Sequence, residues 1–274
     1  MKKTKNILLT FDLEEFDLPL EYHEEISDKE QIGISRNGLK NLLKILNKQQ
    51  VIATFFVTAK FALANKKLVK QLSKKHEIAL HGLMHSDDYR HMKEDLALKR
   101  LSRGKKLVEK IIGKNVIGFR APRFHIKKIK LLPTIGIKYD SSLHPTYIPG
   151  RYNNFFTERE IHKHGKLIEV PISVTSLLRL PLFWFAFRNL GLAYSKFCTN
   201  WCFLDSRYVM LLFHPWEFVD LNSSGFKLPA YIKRDTGRIL SGKLDSYIRW
   251  AKRKCYKFST VKNFLSENGI IKGN

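Results

Sequence analysis

Cysteine is scarce in this chain: Cys198, Cys202 and Cys255 are all it has. An odd number at no disulfide-like spacing excludes a disulfide framework and suits a reducing compartment. Cys198 and Cys202 stand four apart with no second pair, which argues against a zinc knuckle. Long apolar runs are also missing; none approaches the ~18 residues of a membrane span. The opening "MKKTKNILLTFDLEE" starts as a secretory signal would, then fails as one. Its apolar stretch is one strand long, short of the ~7–15 residues of an h-region, and acids follow at once. The expectation is a cytoplasmic protein. Acids are the minority charge, 25 against 49 Lys and Arg, for a formal net charge of +24. Such a surplus attracts polyanions. The lysines are nevertheless scattered, with no RNP-like or zinc-finger signature, so a solvated basic surface is expected and no nucleic-acid partner.

What is present reads as a folded α/β protein. The 274 residues are 44% hydrophobic and 12% aromatic, enough for a large core. No internal repeat or clear linker divides them, so one catalytic domain over 1–274 is expected. Strand-like and helix-like segments alternate. "NILLTF" (6–11) and "VIATFFV" (51–57) read as buried strands. They flank an apolar stripe at helical spacing, Leu39, Leu42, Leu43 and Leu46. A Lys-rich helix is expected at about 65–75, then the strand "EIAL" (77–80), then a helix over 94–112 ending at Gly113. "VIGF" (116–119), a helix near 125–132, "IKYD" (137–140), "LIEVPI" (167–172), "YVMLLF" (208–213) and "YKFS" (256–259) follow. Repeated βα units point to a parallel sheet, open or closed as a barrel. Segment 141–207 is irregular and suits insertions over the active face. Within it, "LLRLPLFWFAFRNLGLAY" (177–194) interleaves aromatics between Arg179 and Arg188. It suits an interfacial segment, a greasy substrate wall or the core, and Pro181 argues against one unbroken helix.

The polar residues fall where such a sheet would use them. "ILLTF" ends in Asp12, "EIAL" in His81, "VIGF" in Arg120 and "VMLLF" in His214. Sites of parallel α/β folds form at the C-terminal ends of their strands, so four strands each deliver an Asp, His or Arg to one face. In "HGLMH", His81 and His85 are four apart; on one helical turn both imidazoles would face one divalent cation. A carboxylate must complete such a site, and "TFDLEEFD" crowds Asp12, Glu14, Glu15 and Asp17 into a basic chain. Two His and one carboxylate leave positions open, the catalytic zinc pattern. Glu14 could be the third ligand.

The order of "TFDLEEFD", "ATFFVTAKFA" (53–62), "HEIALHGLMHSD" (76–87), "GFRAPRF" (118–124), "KYDSSLHP" (138–145), "LIEVPIS" (167–173) and "LLFHPWEF" (211–218) resembles the polysaccharide deacetylases, the NodB-homology or carbohydrate esterase family 4. The resemblance spans about residues 5–265. It implies a distorted (β/α)7 barrel and hydrolysis of an N-acetyl group on a sugar. By position, Asp12 matches the catalytic base, His81 and His85 the metal-binding histidines, and Arg120 the arginine holding the base. Pro122 matches the proline beside it, His214 the general acid, and Leu212 a pocket wall. The chain departs from the family in two places. Leu13 stands where the family has its metal-binding aspartate, so the ligand falls to Glu14 or Glu15, with Glu14 chosen on the precedent of other branches. Arg123 stands where many members have Tyr.

The resemblance also implies one divalent cation, Zn²⁺ first with Co²⁺, Mn²⁺ or Ni²⁺ as alternatives. It implies that a backbone N–H at Arg123 serves as oxyanion donor. Asp140 could orient His214, pair with Arg120 or cap the turn before Ser141 and Ser142, and Trp216 could line the sugar cleft or be an ordinary buried Trp. The expected substrate is an N-acetylated sugar of a polysaccharide or of a nucleotide- or lipid-linked precursor of a cell-surface glycan. A polyprenyl carrier would suit the 177–194 segment and a peripheral contact with an anionic inner membrane face. Two other readings compete: a related amidohydrolase (a lipid-linked sugar deformylase or a metal-independent ureide hydrolase), and a non-catalytic glycan-binding relative.

Overall fold

The computed structural model describes residues 4–272. Its frame is a run of parallel strands: β1 (Asn6–Leu13), β2 (Thr54–Val57), β3 (Glu77–Leu80), β4 (Gly118–Phe119) and β5 (Tyr139–Asp140). Leu167–Glu169 continues the sheet beyond β5, and Tyr208–Phe213 lies on the other side of β1. Every pairing along this series is parallel. His162–His164 adds an antiparallel edge, and Lys257–Ser259 pairs with the start of β1. The sheet curls into a half-barrel with helices around it, the (β/α) barrel-like fold that the sequence resemblance implied.

Alternation along the strands sorts side chains between two cores, because successive strand residues point to opposite faces. Ile7, Leu9, Phe11 and Leu13 pack outward with Leu39, Leu42 and Leu46 of α1 (Asp28–Lys48). Leu8 packs inward with Phe56, Ala79, Tyr139, Met210 and Leu212. Asp12 shares the parity of Leu8 and Thr10, so the strand aims its carboxylate into the barrel mouth. The same parity places Leu212 inside.

The outer helices begin and end where local chemistry directs. Ser27 accepts the Glu30 N–H to cap α1, and Gly113 in left-handed conformation (φ 69°) ends the helix Glu94–Ile112. α1 also lies against the segment after Tyr208–Phe213, and only glycine allows this. A Cβ on Gly38 would come 1.8 Å from the Pro215 carbonyl oxygen.

The Lys-rich helix forms as Lys66–Leu72, with a separate short helix, Ala59–Ala64, before it. No α-helix forms near 125–132; Ile126 instead makes a parallel bridge to Tyr89, and short 3-10 turns at Ile129–Leu131 and Pro133–Ile135 follow. The 177–194 segment breaks at Pro181, as expected, and then forms Trp184–Asn189 and Gly191–Cys202. Among the described residues no helix is long and apolar enough to cross a membrane. The three cysteines are free.

Candidate active site

The barrel mouth opens into a cleft of about 540 Å³ whose lining includes Asp12, Glu14, His81, His85, Arg123 and His214. Arg120 lies beneath it, fully buried, and every nitrogen of its guanidinium is engaged. Nη1 donates to Asp12 Oδ1 at 2.7 Å and to Thr10 Oγ1 at 3.1 Å. Nε donates to the Ser141 carbonyl at 3.0 Å and Nη2 to Ser141 Oγ at 3.0 Å. The guanidinium also lies 4.0 Å from the Phe56 ring centroid. The other Asp12 oxygen, Oδ2, faces His81 Nε2 at 3.9 Å.

Glu14 is the centre of the constellation. Its Oε2 lies 3.0 Å from His81 Nε2 and 3.1 Å from His85 Nε2. Its Oε1 faces Trp216 Nε1 at 3.4 Å and His214 Nε2 at 3.8 Å. Burial pushes the Glu14 carboxyl upward, but His85, His214 and His81 together outweigh it and hold the group well below the ordinary carboxylate range. The choice between the adjacent glutamates follows from what Glu15 does. Its oxygens accept the Thr58 hydroxyl at 3.1 Å and the His85 backbone N–H at 2.9 Å, bracing the loop.

His81 and His85 converge without a helix. Residues 81–85 form a turn, because Gly82 adopts φ +80° and a Cβ there would meet Tyr89 Oη at 2.9 Å. Asp87 holds this turn. Its Oδ2 accepts the Leu83 N–H at 3.3 Å and the Tyr89 hydroxyl at 2.6 Å, while Oδ1 accepts Arg100 Nε at 2.9 Å. The imidazoles end 5.9 Å apart, inclined by 23°.

His214 stands at the opposite side, between Trp216 (centroids 5.0 Å) and Trp184 (5.7 Å). Pro215 starts a 3-10 turn whose third residue, Glu217, reaches back to cap it. Glu217 Oε1 accepts the His214 backbone N–H at 2.7 Å and Nδ1–H at 3.1 Å. Its Oε2 is paired at 2.8 Å with Arg188 Nε, and both side chains are fully buried. Burial works against the charged imidazole of His214, but Glu14 and Glu217 override it and raise its pKa.

Arg123 occupies the rim with φ 52°, donating to Glu21 at 2.9 Å, to Asp17 at 2.9 Å and to the His85 carbonyl at 2.7 Å. Leu212 and Trp216 line the cleft. Asp140 stands apart. Its Oδ1 accepts the Ser142 hydroxyl at 2.5 Å, it is not among the cleft-lining residues, and burial raises its pKa to about 6. It forms neither the expected pair with Arg120 nor a contact with His214, because Ser141 takes the guanidinium face on that side. Four supporting residues went unassigned in the sequence: Asp17, Asp87, Glu217 and Arg188. Glu217 had a signal, a carboxylate three residues beyond the strand-end histidine. Arg188 had none.

The polysaccharide deacetylase family model matches residues 2–131. Over that span the chain is similar to the polysaccharide deacetylases. No curated protein matches the chain. Among solved structures it is similar to a protein of Mycobacterium smegmatis provisionally named a polysaccharide deacetylase, at TM-score 0.67 and 20% identity, covering 98% of this chain and 91% of that one. It is also similar to the PuuE allantoinase, at TM-score 0.65 and 14% identity, covering 96% and 89%. A third likeness is a carbohydrate esterase 4 pseudoenzyme of Bacillus anthracis, at TM-score 0.56 and 14% identity, covering 97% and 67%. At these identities the likenesses establish the fold. The deacetylase family implies a hydrolase acting on amide bonds, and its members are generally metal-dependent.

The donor set of this site fits a divalent cation. His81 Nδ1 lies 2.8 Å from the Arg120 carbonyl, which can only accept, so Nδ1 carries a proton. In the neutral ring the bare Nε2 then faces the Glu14 carboxylate, lone pair against lone pair. His85 repeats the pattern, with Nδ1 at 2.7 Å from Asp17 Oδ1 and Nε2 on Glu14. A cation or extra protons must separate these atoms. Fixing the outer ring nitrogen on a carbonyl or carboxylate is how metal-binding histidines are oriented. Donor atoms of Glu14, His81 and His85 lie within 4.8 Å of one another.

Proposed function

We propose that this protein is a metal-dependent hydrolase that removes the N-acetyl group of an amino sugar. The observation that carries the reading is the meeting of two imidazoles on Glu14 beside an aspartate held by a buried arginine. Glu14, His81 and His85 are the ligand set for one divalent cation, which when bound supplies Lewis acidity to the site.

The chain's own residues account for the proton movements. Arg120 occupies Asp12 Oδ1, leaving Oδ2 as the carboxylate oxygen that faces the site. Asp12 takes a proton from the attacking water as its oxygen bonds to the amide carbon. The backbone N–H at Arg123 supports the developing oxyanion. Glu217 fixes the proton on Nδ1 of His214, so Nε2 is the nitrogen turned to the substrate. Protonated His214 gives its Nε2 proton to the departing nitrogen as the C–N bond breaks, and acetate and a free amine leave. Arg123, Leu212 and Trp216 form the substrate walls, with Trp216 presenting an aromatic edge to the sugar.

The test is acetate release from N-acetylated amino sugars by the purified protein, with its metal content measured alongside. Asp12→Asn should abolish release in a protein that remains folded by circular dichroism, and an unchanged rate overturns the mechanism. Full activity in metal-stripped protein would instead favour a metal-independent amidohydrolase on the same scaffold.

A further inference from the structure

We propose that the cleft is built for an amino sugar joined to an aliphatic chain, the sugar lying at the charged end and the chain along an aromatic trough. This rests on the deacylase reading, since it uses His214 to place the sugar.

The cleft is divided by chemistry. Asp17, Glu21, Arg123 and Arg151 of its lining form one chain of ion pairs beside the histidines that meet Glu14. The other wall, Pro181, Phe183, Trp184, Phe185, Leu190 and Ile232, bears no charge. Nearly all of it comes from the irregular segment that interrupts the βα pattern. The rings form a continuous path outward from the acid. Trp184 lies 5.7 Å from His214, Phe185 5.7 Å from Trp184, and Tyr231 5.9 Å from Phe185. The path reaches the surface at Leu190, 58% exposed, and Tyr231, 48% exposed.

A polymeric glycan laid along this path would need partners for its hydroxyls, and few polar groups are there, two of them already bonded within the protein. Tyr231 Oη is bonded to Tyr22 Oη at 3.1 Å. Arg188, behind the Trp184 ring, donates to the Ile232 and Arg234 carbonyls at 2.7 and 2.8 Å and faces Glu217. A hydrocarbon chain asks for no such partners and gains from every methylene it buries. Because His214 protonates the leaving nitrogen, the sugar sits at the head of the trough, and a substituent on it is directed along the rings. The exposed apolar mouth lets a chain longer than the trough continue outward.

The experiment measures binding of methyl, hexyl and octyl glycosides of N-acetylglucosamine, each below its micelle concentration, by the emission of Trp184 and Trp216. Affinity is expected to rise at least about tenfold from methyl to octyl, since one fully buried methylene is worth roughly fourfold. Octyl glucoside, which lacks the N-acetyl group, should bind more tightly than methyl glucoside. Leu190→Ser, at the exposed mouth, should reduce the gain with chain length, and Phe185→Asp should remove it. Equal affinity for the methyl and octyl compounds overturns the proposal. A chain-length gain in a protein that releases no acetate leaves the trough standing and removes the deacetylase reading.

Discussion

Arg120 Nη1 and Asp12 Oδ1 are 2.7 Å apart in a part of the barrel where neither side chain sees solvent to any useful extent. One end of β1 and one end of β4 are thereby tied by a charge pair, and the pair leaves a single carboxylate oxygen for chemistry. Removing the partner of a buried charge is costlier than removing both members. Arg120→Ala should therefore destabilise the fold by ~3–5 kcal/mol and abolish activity. Asp12→Asn, which retains an acceptor oxygen for Nη1 but leaves the guanidinium without its countercharge, should abolish activity with a smaller loss of stability than Arg120→Ala. Equal destabilisation by the two variants would show that the pair is not organised as described.

Metal content should separate the ligands from their supports. His81→Ala, His85→Ala and Glu14→Gln are each expected to lose stoichiometric metal on purification, with activity falling by at least about a hundredfold. Asp87→Asn should lie between these and the parent. It touches no proposed ligand atom but holds the turn that carries both histidines, so the expected result is a weakened metal affinity, ~10–100-fold, restored at high metal concentration. Metal analysis across a chelator titration reads this directly.

How much of this could be read from the sequence depends on how local each signal is. Strand ends are local, so Asp12, His81, Arg120 and His214 were assigned from short apolar runs alone, and the structure brings all four to one mouth. The geometry of His81 and His85 was not local. Spacing suggested a helical turn, whereas the positive φ of Gly82 and the collar of Asp87 bonds set a different backbone with the same convergence. Near 125–132 a bridge between Ile126 and Tyr89 stands where a helix was expected, and a local reading cannot show a pairing with so distant a residue. Asp140 reads in sequence as either a site residue or a turn cap, and tertiary structure has its Oδ1 accepting the Ser142 hydroxyl. The aromatic 177–194 segment fits core, interface or cleft equally well in sequence; Leu182 and Phe187 are in the core, and Phe183, Trp184 and Phe185 line the cleft.

Acid sensitivity should come from two buried neutral histidines away from the ligand set. Burial and the neighbouring charge of Lys75 lower the pKa of His76 to about 4, and its Nδ1 accepts the Ala53 N–H. Burial and the Arg120 charge lower that of His144 to about 3. Both folded values lie below the ordinary 6.5, so the unfolded chain binds more protons over the interval between. Their contribution is complete above about pH 6.5 and is lost as pH falls towards 4 and then 3. Urea unfolding at a series of pH values should show stability dropping through this window. His144→Phe, placed among Phe124 and Phe183, should flatten the slope, and a slope unchanged by it would assign the acid loss elsewhere.

Glu217 is expected to matter twice, and two measurements can tell the effects apart. It holds the His214 ring through Nδ1 and closes the turn through the backbone N–H, and it faces the buried Arg188 guanidinium. Glu217→Gln keeps the size and one acceptor oxygen but removes the charge. The imidazolium form of His214 loses a supporting carboxylate, so the pKa governing the alkaline limb should fall and kcat should drop by roughly ten- to a hundredfold, with KM little changed. Stability should fall as well, because Arg188 is left as a buried charge with only carbonyl partners. In the double variant Glu217→Gln/Arg188→Met the unpaired charge is gone, so unfolding should return most of the way to the parent midpoint while kcat stays low. Recovery of both together would mean that Glu217 acts on His214 only through the stability of the fold.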